Sequence, residues 1–216
     1  FGLVPEADRD VVLANLVRAV ESQNYRPTTG EVCFRYMVRA LADAGRADVV
    51  YHISDRTDPP GYGCMLRQYG LKTLSEQWDK PGSSLNHCMF GHIQEWFQSD
   101  LLGIRQAEGS TGFERLRIAP TPVGDLREAS GHYDSPRGRI AVAWKKTGDV
   151  FHLDVTIPGN TTAEVVLPAT EKTIVTEGGQ SINETRGIRE KARTGNEILL
   201  EVGSGRYEFK TEPGGV

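Results

Sequence analysis

The stretch Gly138-Arg-Ile-Ala-Val-Ala-Trp-Lys-Lys-Thr-Gly-Asp-Val-Phe-His-Leu-Asp-Val-Thr-Ile157 holds two runs of alternating residues separated by a Gly-containing turn. In the first run, Ile140, Val142 and Trp144 recur at every second position, which places them on one face of a strand. The same alternation returns after the turn and reverses across it. The stretch therefore predicts an antiparallel β-hairpin with one buried face, and it predicts Trp144 as a core residue.

Further short apolar runs extend from this hairpin in both directions, with Gly, Pro, Ser and Asn turn signals between them. The other predicted strands lie at residues 113–120, 129–133, 162–167, 172–176, 197–202 and 205–210. About eight short strands at this spacing favour an antiparallel β-sandwich.

The chain changes character at Ile104-Arg-Gln-Ala-Glu-Gly-Ser-Thr-Gly112, a turn-rich connector. Upstream of it, apolar residues recur at helical spacing. The first predicted helix runs from Pro5 to Asn24, with an apolar face of Val11, Val12, Leu16, Ala19 and Val20, and the second is stopped by Gly45, with a face of Phe34, Met37, Val38 and Leu41. Two short helical segments are predicted at 48–53 and around 65–69. The last predicted helix covers 85–101, with a face of Leu85, Met89, Ile93, Phe97 and Leu101 that Trp96 widens. The chain is therefore predicted to be α+β with two domains, helical over 1–104 and β over 105–216.

The amino-acid composition and net charge of the chain limit the kinds of partner that it can bind. The chain has 216 residues, of which 38% are hydrophobic and 25% charged, as in ordinary globular proteins. A net charge of -4 provides no basic excess for nucleic acid or anionic lipid. No apolar run approaches the roughly 20 residues of a membrane span. We expect neither a nucleic-acid partner nor a membrane partner.

Two features of the chain leave its compartment open. The chain begins at Phe1 rather than Met and shows no targeting signal, so we expect the native start to be missing. A cytoplasmic, periplasmic or secreted location all fit. The three cysteines, Cys33, Cys64 and Cys88, have no metal-ligand spacing and are predicted to be buried free thiols.

The residues that can carry chemistry converge on Thr73-Leu-Ser-Glu-Gln-Trp-Asp-Lys-Pro-Gly-Ser-Ser-Leu-Asn-His87. It sets a carboxylate, Glu76, beside an indole, Trp78, and an imidazole, His87, on a turn-rich segment. One interpretation is a sugar-binding site; the other is a helix-terminal Glu in a solvated loop.

Other chemistries have weaker support. No serine has a G-x-S-x-G setting, no phosphate-binding glycine motif is present, and the five histidines form no H-E-x-x-H pair. We therefore predict no metal and no cofactor. A pair of carboxylates with aromatic walls remains, as in glycosidases.

Five segments carry a family resemblance: Asp55-Arg-Thr-Asp-Pro-Pro-Gly-Tyr-Gly-Cys-Met65, Gly70-Leu-Lys-Thr-Leu-Ser-Glu-Gln-Trp-Asp79, Ser84-Leu-Asn-His-Cys-Met-Phe-Gly91, Gly138-Arg-Ile-Ala-Val-Ala-Trp-Lys145 and Pro158-Gly-Asn-Thr-Thr-Ala163. Together they resemble the C-terminal part of bacterial α-L-rhamnosidases, glycoside hydrolase family 78. The most specific part is G-x-x-T-L-x-E-x-W-D followed by S-x-N-H-x-x-x-G.

The resemblance implies part of an (α/α)6 six-hairpin barrel followed by a β-sandwich, and an inverting α-L-rhamnosidase that acts on rhamnose-containing glycosides or polysaccharides. It implies that Glu76 is the general base, that His87 binds rhamnose hydroxyls, and that Trp78 with Asp79 forms the wall and support of the pocket. The family usually has Trp immediately before this Glu, where the present chain has Ser75. We expect a stacking surface to be lost there.

The resemblance also implies that the general acid lies in the earlier half of the barrel, upstream of this chain. We therefore expect the chain to be a C-terminal fragment, inactive by itself, that self-associates through helical residues 5–103. The alternative is a non-catalytic carbohydrate-binding or structural module.

Overall fold

The computed structural model of the protein describes residues 3–82 and 84–214. The chain divides into two compact units, one ending at Trp96 and the other beginning at Phe97. The first is helical and the second is built from strands.

Within the described residues, the helical unit contains four α-helices, the last of which follows a long connection that begins after Ser54. They are α1 (Arg9–Ser22), α2 (Glu31–Asp43), α3 (Ala47–Ser54) and α4 (Ile93–Trp96), with 3-10 turns at Glu6–Asp8 and Met89–His92 and a π-helical turn at Cys64–Gln68. In α2, Phe34, Val38 and Leu41 are buried, the i, i+4, i+7 spacing of one helical face. None of the helices within the described ranges is long and apolar enough to cross a membrane.

The buried face of α1 differs from the predicted stripe. Val11 and Val12 are 60% and 45% exposed, whereas Val17 and Val20 are buried. Leu13 and Leu16 are half-buried. Together with Val17 and Val20 they form an i, i+3, i+4, i+7 set, the pattern of a single helical face at 3.6 residues per turn. The prediction placed Val11 and Val12 in the stripe because they are apolar, although they lie away from its centre.

The predicted helix over 85–101 is wrong in its start and in its buried face. Helical structure begins at Met89, and Leu85 is 47% exposed. The buried residues Phe90, Ile93 and Trp96 recur every three positions, not every four. Beyond Trp96, residues Phe97–Leu101 form a π-helical turn in the second unit.

The second unit contains eleven strands within the described residues, arranged in two sheets. The strands are β1 (Ile104–Gln106), β2 (Arg115–Ile118), β3 (Glu128–Ser135), β4 (Gly138–Thr147), β5 (Val150–Ile157), β6 (Thr162–Pro168), β7 (Thr173–Glu177), β8 (Gln180–Ser181), β9 (Ile188–Thr194), β10 (Glu197–Val202) and β11 (Gly205–Pro213). The first sheet has the order β1-β2-β6-β10-β9, and the second has the order β3-β4-β5-β11-β7-β8. All pairings are antiparallel except that of β2 with β6, which is parallel.

The predicted hairpin is strands β4 and β5. Val142 pairs with Val155, and Trp144 pairs with Leu153. Trp144 is only 2% exposed, and its Nε1–H donates a hydrogen bond to the backbone oxygen of Leu101 at 2.8 Å. The prediction of Trp144 as a core residue is confirmed.

Three strands were not predicted. Strand β1 lies in the segment interpreted as a turn-rich connector, where Ile104 pairs with Ile118. Strand β9 has the burial pattern of a mostly exposed edge strand, and its sequence Ile188-Arg-Glu-Lys-Ala-Arg-Thr194 lacks apolar alternation. Strand β8 has only two residues. Short or solvated strands leave no hydrophobic pattern, so pairing partners alone reveal them.

The cysteines differ from the prediction of three buried thiols. All three are free, but only Cys64 is buried, while Cys33 and Cys88 are exposed.

Candidate active site

Residues 73–82 and 84–87 belong to a loop closed by backbone hydrogen bonds rather than to the start of a helix. The N–H of Glu76 donates to the oxygen of Ser84 at 3.1 Å, and the N–H of His87 donates to the oxygen of Leu74 at 3.0 Å. These bonds hold residues 84–87 against residues 74–76. Residues 84–87 are therefore not part of the helix that follows. As a result, Glu76 and His87 are close in space although eleven positions separate them in the sequence.

The hydroxyl of Ser75 organises the turn that follows Glu76. Ser75 is fully buried, and its Oγ accepts a hydrogen bond from the N–H of Gly82 at 2.7 Å and donates one to the oxygen of Lys80 at 3.3 Å. Position 75 therefore faces the interior of the loop and offers no surface to the cleft described below. A buried hydroxyl that both donates and accepts a hydrogen bond stabilises the turn.

Trp78 belongs to an aromatic cluster of the helical unit. Its ring centroid lies 5.1 Å from that of Phe34, 5.0 Å from that of Tyr62 and 3.7 Å from that of Phe90. Its Nε1–H donates to the oxygen of Thr29 at 3.2 Å, and the residue is 8% exposed. Trp78 thus anchors the loop to the core with most of its surface.

Tyr62 shares the apolar surroundings of this cluster. Its hydroxyl donates a hydrogen bond to the backbone oxygen of Phe90. Burial raises the pKa of the Tyr62 phenol well above its usual range, because the phenolate would lose its hydration. Tyr62 therefore remains a neutral donor.

A cleft of about 690 Å³ lies next to the loop, within the helical unit. Its walls are residues 27–33, 60, 76–79 and 90. Glu76 and Asp79 therefore face the cleft, together with part of Trp78. The volume is within the range of small-ligand sites, roughly 300–1,000 Å³.

The loop brings Glu76 and His87 together with a residue that the sequence analysis did not single out, Glu31. One side-chain ligand atom from each residue lies within 4.8 Å of those of the other two, and all three residues are half-buried. Nε2 of His87 is 3.2 Å from Oε2 of Glu31, an ion-pair distance, but the directional geometry of a hydrogen bond is not met. We describe the pair as a close electrostatic contact.

The four predicted site residues are thus placed unequally. Glu76, Trp78 and Asp79 contribute to the wall of the cleft, but His87 is not among the wall residues. His87 instead contacts Glu31, which is a wall residue. The only sequence signal for Glu31 is its position as an acid in the first turn of a helix after Thr28-Thr29-Gly30. That signal is shared by many helices and does not mark a site.

Two family models match the chain in succession. The model of the bacterial alpha-L-rhamnosidase 6 hairpin glycosidase domain matches residues 1–101, and that of the bacterial alpha-L-rhamnosidase C-terminal domain matches residues 103–181.

Curated relatives agree with these matches. An alpha-L-rhamnosidase of Streptomyces avermitilis is 30% identical over 97% of this chain, and one of Alteromonas sp. is 30% identical over 78%. The chain spans about a fifth of the length of these relatives, 20% and 19%.

Solved structures show the same similarity in three dimensions. The alpha-L-rhamnosidase from Dictyoglumus thermophilum superposes with a TM-score of 0.84 at 33% identity, covering 97% of this chain and 24% of that chain. The Streptomyces avermitilis enzyme complexed with L-rhamnose gives 0.85 at 27% identity, covering 97% of this chain and 20% of that chain. Two consecutive domain matches and similarity along nearly the whole chain show that this chain belongs to the bacterial α-L-rhamnosidase family.

Proposed function

We propose that this chain supplies the general base of an inverting α-L-rhamnosidase, which hydrolyses terminal α-L-rhamnose from glycosides or polysaccharides. The observation that carries the proposal is the place of Glu76 on the wall of the cleft, in a loop closed by the backbone bonds of Glu76 to Ser84 and of His87 to Leu74. Family membership supports the substrate class, as does the L-rhamnose complex of the similar Streptomyces avermitilis enzyme.

The chemistry follows from the charge of Glu76. A water molecule between this carboxylate and the anomeric carbon gives up its proton to Glu76 as its oxygen bonds to that carbon. The bond from the carbon to the leaving oxygen breaks on the opposite face, and a general acid protonates that oxygen. Inverting enzymes separate the two carboxyl groups by roughly 6.5–9.5 Å to leave room for the water.

Glu31 does not meet this requirement as the general acid. Its ligand atom lies within 4.8 Å of that of Glu76, too close for a water and an anomeric carbon between them. We therefore assign Glu76 to the base and leave the acid to a carboxyl group outside this cluster.

We assign His87 to the positioning of rhamnose hydroxyls, and Trp78 and Asp79 to the wall of the sugar pocket. Asp79 is exposed on the cleft, and its backbone oxygen accepts a hydrogen bond from the Tyr69 hydroxyl. Trp78 is a wall residue of the cleft and is 8% exposed.

Replacement of His87 tests the site. In the full-length protein, we expect His87→Ala to weaken L-rhamnose binding by about 1–3 kcal/mol, because polar partners lose their contact. Isothermal titration calorimetry measures the effect. His132→Ala, which removes an exposed imidazole of the sheet unit, is the control and should leave the affinity unchanged. Unchanged affinity in His87→Ala would reduce His87 to a structural residue.

We also propose that the chain on its own self-associates. The helical unit exposes Val11 (60%), Val12 (45%), Val32 (60%) and Leu66 (57%). Association of two copies would remove such apolar surface from water. Light scattering of the isolated chain should show dimers or larger species, reduced by the double change Val11→Asp and Val12→Asp. The same change at Ile174, exposed in the sheet unit, should have little effect. A monomer at all concentrations contradicts the proposal.

A further inference from the structure

We propose that Glu31 is a further substrate-contacting residue of this site: a carboxylate that accepts hydrogen bonds from sugar hydroxyls while His87 holds it in place. The inference rests on the proposed function, since it names a residue of the same cleft. It also gives His87 an indirect task, which is to position Glu31.

The position of Glu31 favours a charged side chain. It is the first residue of α2, where free backbone N–H groups and the helix dipole stabilise negative charge. It is also a wall residue of the cleft, and 28% of its side chain is exposed. The carboxylate can therefore be reached by a ligand in the cleft.

His87 compensates the proximity of two carboxylates. Glu31 and Glu76 would repel each other at their separation within 4.8 Å if nothing lay beside them. The imidazole Nε2, 3.2 Å from Oε2 of Glu31, places a polar ring atom beside that oxygen. It also restrains the rotamer of Glu31, because the His87 backbone is bonded to Leu74 in the closed loop.

The chemistry of the cleft indicates what Glu31 would bind. An ionised carboxylate only accepts hydrogen bonds, so its ligand must donate them, as pyranose hydroxyls do. Apolar surface is supplied by Trp78, Phe90 and Pro60, which also line the cleft. A deoxysugar, with several hydroxyls and one methyl group, presents both surfaces.

The test is a set of calorimetric titrations of the full-length protein with L-rhamnose. Glu31→Gln keeps the shape of the side chain but removes its charge, and we expect about tenfold weaker binding, the effect of one lost charge-assisted hydrogen bond. Asp43→Asn is the matched control, since it removes an exposed carboxylate of the same helix that is paired with Arg39. Its affinity should equal that of the unchanged protein.

A double-mutant cycle tests the link to His87. If His87 also acts by holding Glu31, then His87→Gln together with Glu31→Gln should lose less affinity than the product of the two single losses, and a fully multiplicative loss would overturn the coupling. The nitrogen resonances of the His87 ring, followed by NMR without sugar, should move in Glu31→Gln and stay in place in Asp43→Asn.

The outcomes separate this inference from the proposed function. If the unchanged protein does not bind L-rhamnose, both are overturned. If it binds and Glu31→Gln binds equally well, only the role of Glu31 is overturned, and unmoved His87 resonances overturn its pairing. Should Glu31→Gln fail to fold by circular dichroism, Glu31→Asp replaces it; it keeps the charge but withdraws it by one methylene and should also weaken binding.

Discussion

Glu76→Gln is expected to lower kcat by about 10²–10⁴-fold in a complete α-L-rhamnosidase that carries this chain, the usual contribution of a positioned proton acceptor. Glutamine has the same shape but cannot take the proton of the attacking water. The fold should be retained, because the loop is held by the backbone of Glu76 and by the buried hydroxyl of Ser75. Hydrolysis of an aryl α-L-rhamnoside measures the change, and calorimetry checks that the sugar still binds.

The control for this prediction is Glu21→Gln, which neutralises a carboxylate on α1 that lies 3.8 Å from Arg46. It should leave the rate unchanged. A rate equal to that of the unchanged enzyme in Glu76→Gln would show that Glu76 is not the base. It would favour the alternative of a carbohydrate-binding or structural module.

Trp78→Ala is expected to lower the free energy of unfolding of the helical unit by about 3–5 kcal/mol, the range for removal of a buried indole. The substitution would empty the space between Phe34, Tyr62 and Phe90 and leave the oxygen of Thr29 without its donor. Urea denaturation followed by circular dichroism measures the loss.

Trp78→Phe is the matched variant, because it keeps an aromatic ring and loses the Nε1–H. We expect a smaller loss of stability, with the hydrogen bond itself contributing about 0.5–1.5 kcal/mol. If Trp78→Ala unfolds at the same urea concentration as the unchanged protein and only weakens rhamnose binding, then the residue is a sugar platform and not an anchor of the loop.

The two predictions concern positions two residues apart in one loop, yet they differ in kind. Glu76 faces the cleft, so its replacement should affect the reaction with little change in stability. Trp78 is 8% exposed, so its replacement should affect stability first and binding as a consequence.

The sequence was most informative where burial is periodic. The alternation of Ile140, Val142 and Trp144 predicted the hairpin and its core face, and the spacing of Phe34, Val38 and Leu41 predicted α2. In both cases one face of a regular element is removed from water, so the hydrophobic pattern and the backbone period must coincide. The motif around Glu76 and Trp78 also identified the family, which the domain matches confirm.

The sequence was least informative where contacts join distant segments. The helix predicted from Leu85 does not start there because Ser84 and His87 are bonded to Glu76 and Leu74, and local spacing contains no trace of that pairing. Strand β9 is likewise defined by β10 and not by its own polar residues. Hydrogen bonds between segments override local propensity whenever they satisfy backbone groups that would otherwise be unpaired.

By itself the sequence determined the order of a helical and a β region and the core faces of the strongest elements, and its family resemblance led to the proposal of Glu76 as the base. Only the tertiary structure decided that Glu31, some 45 positions upstream of Glu76, shares its site, that Ser75 faces the loop and not the cleft, and that Trp78 is mainly an anchor. The physical reason is that side-chain chemistry is encoded at single positions, whereas the distance between two charges is set by backbone contacts among residues far apart in the chain.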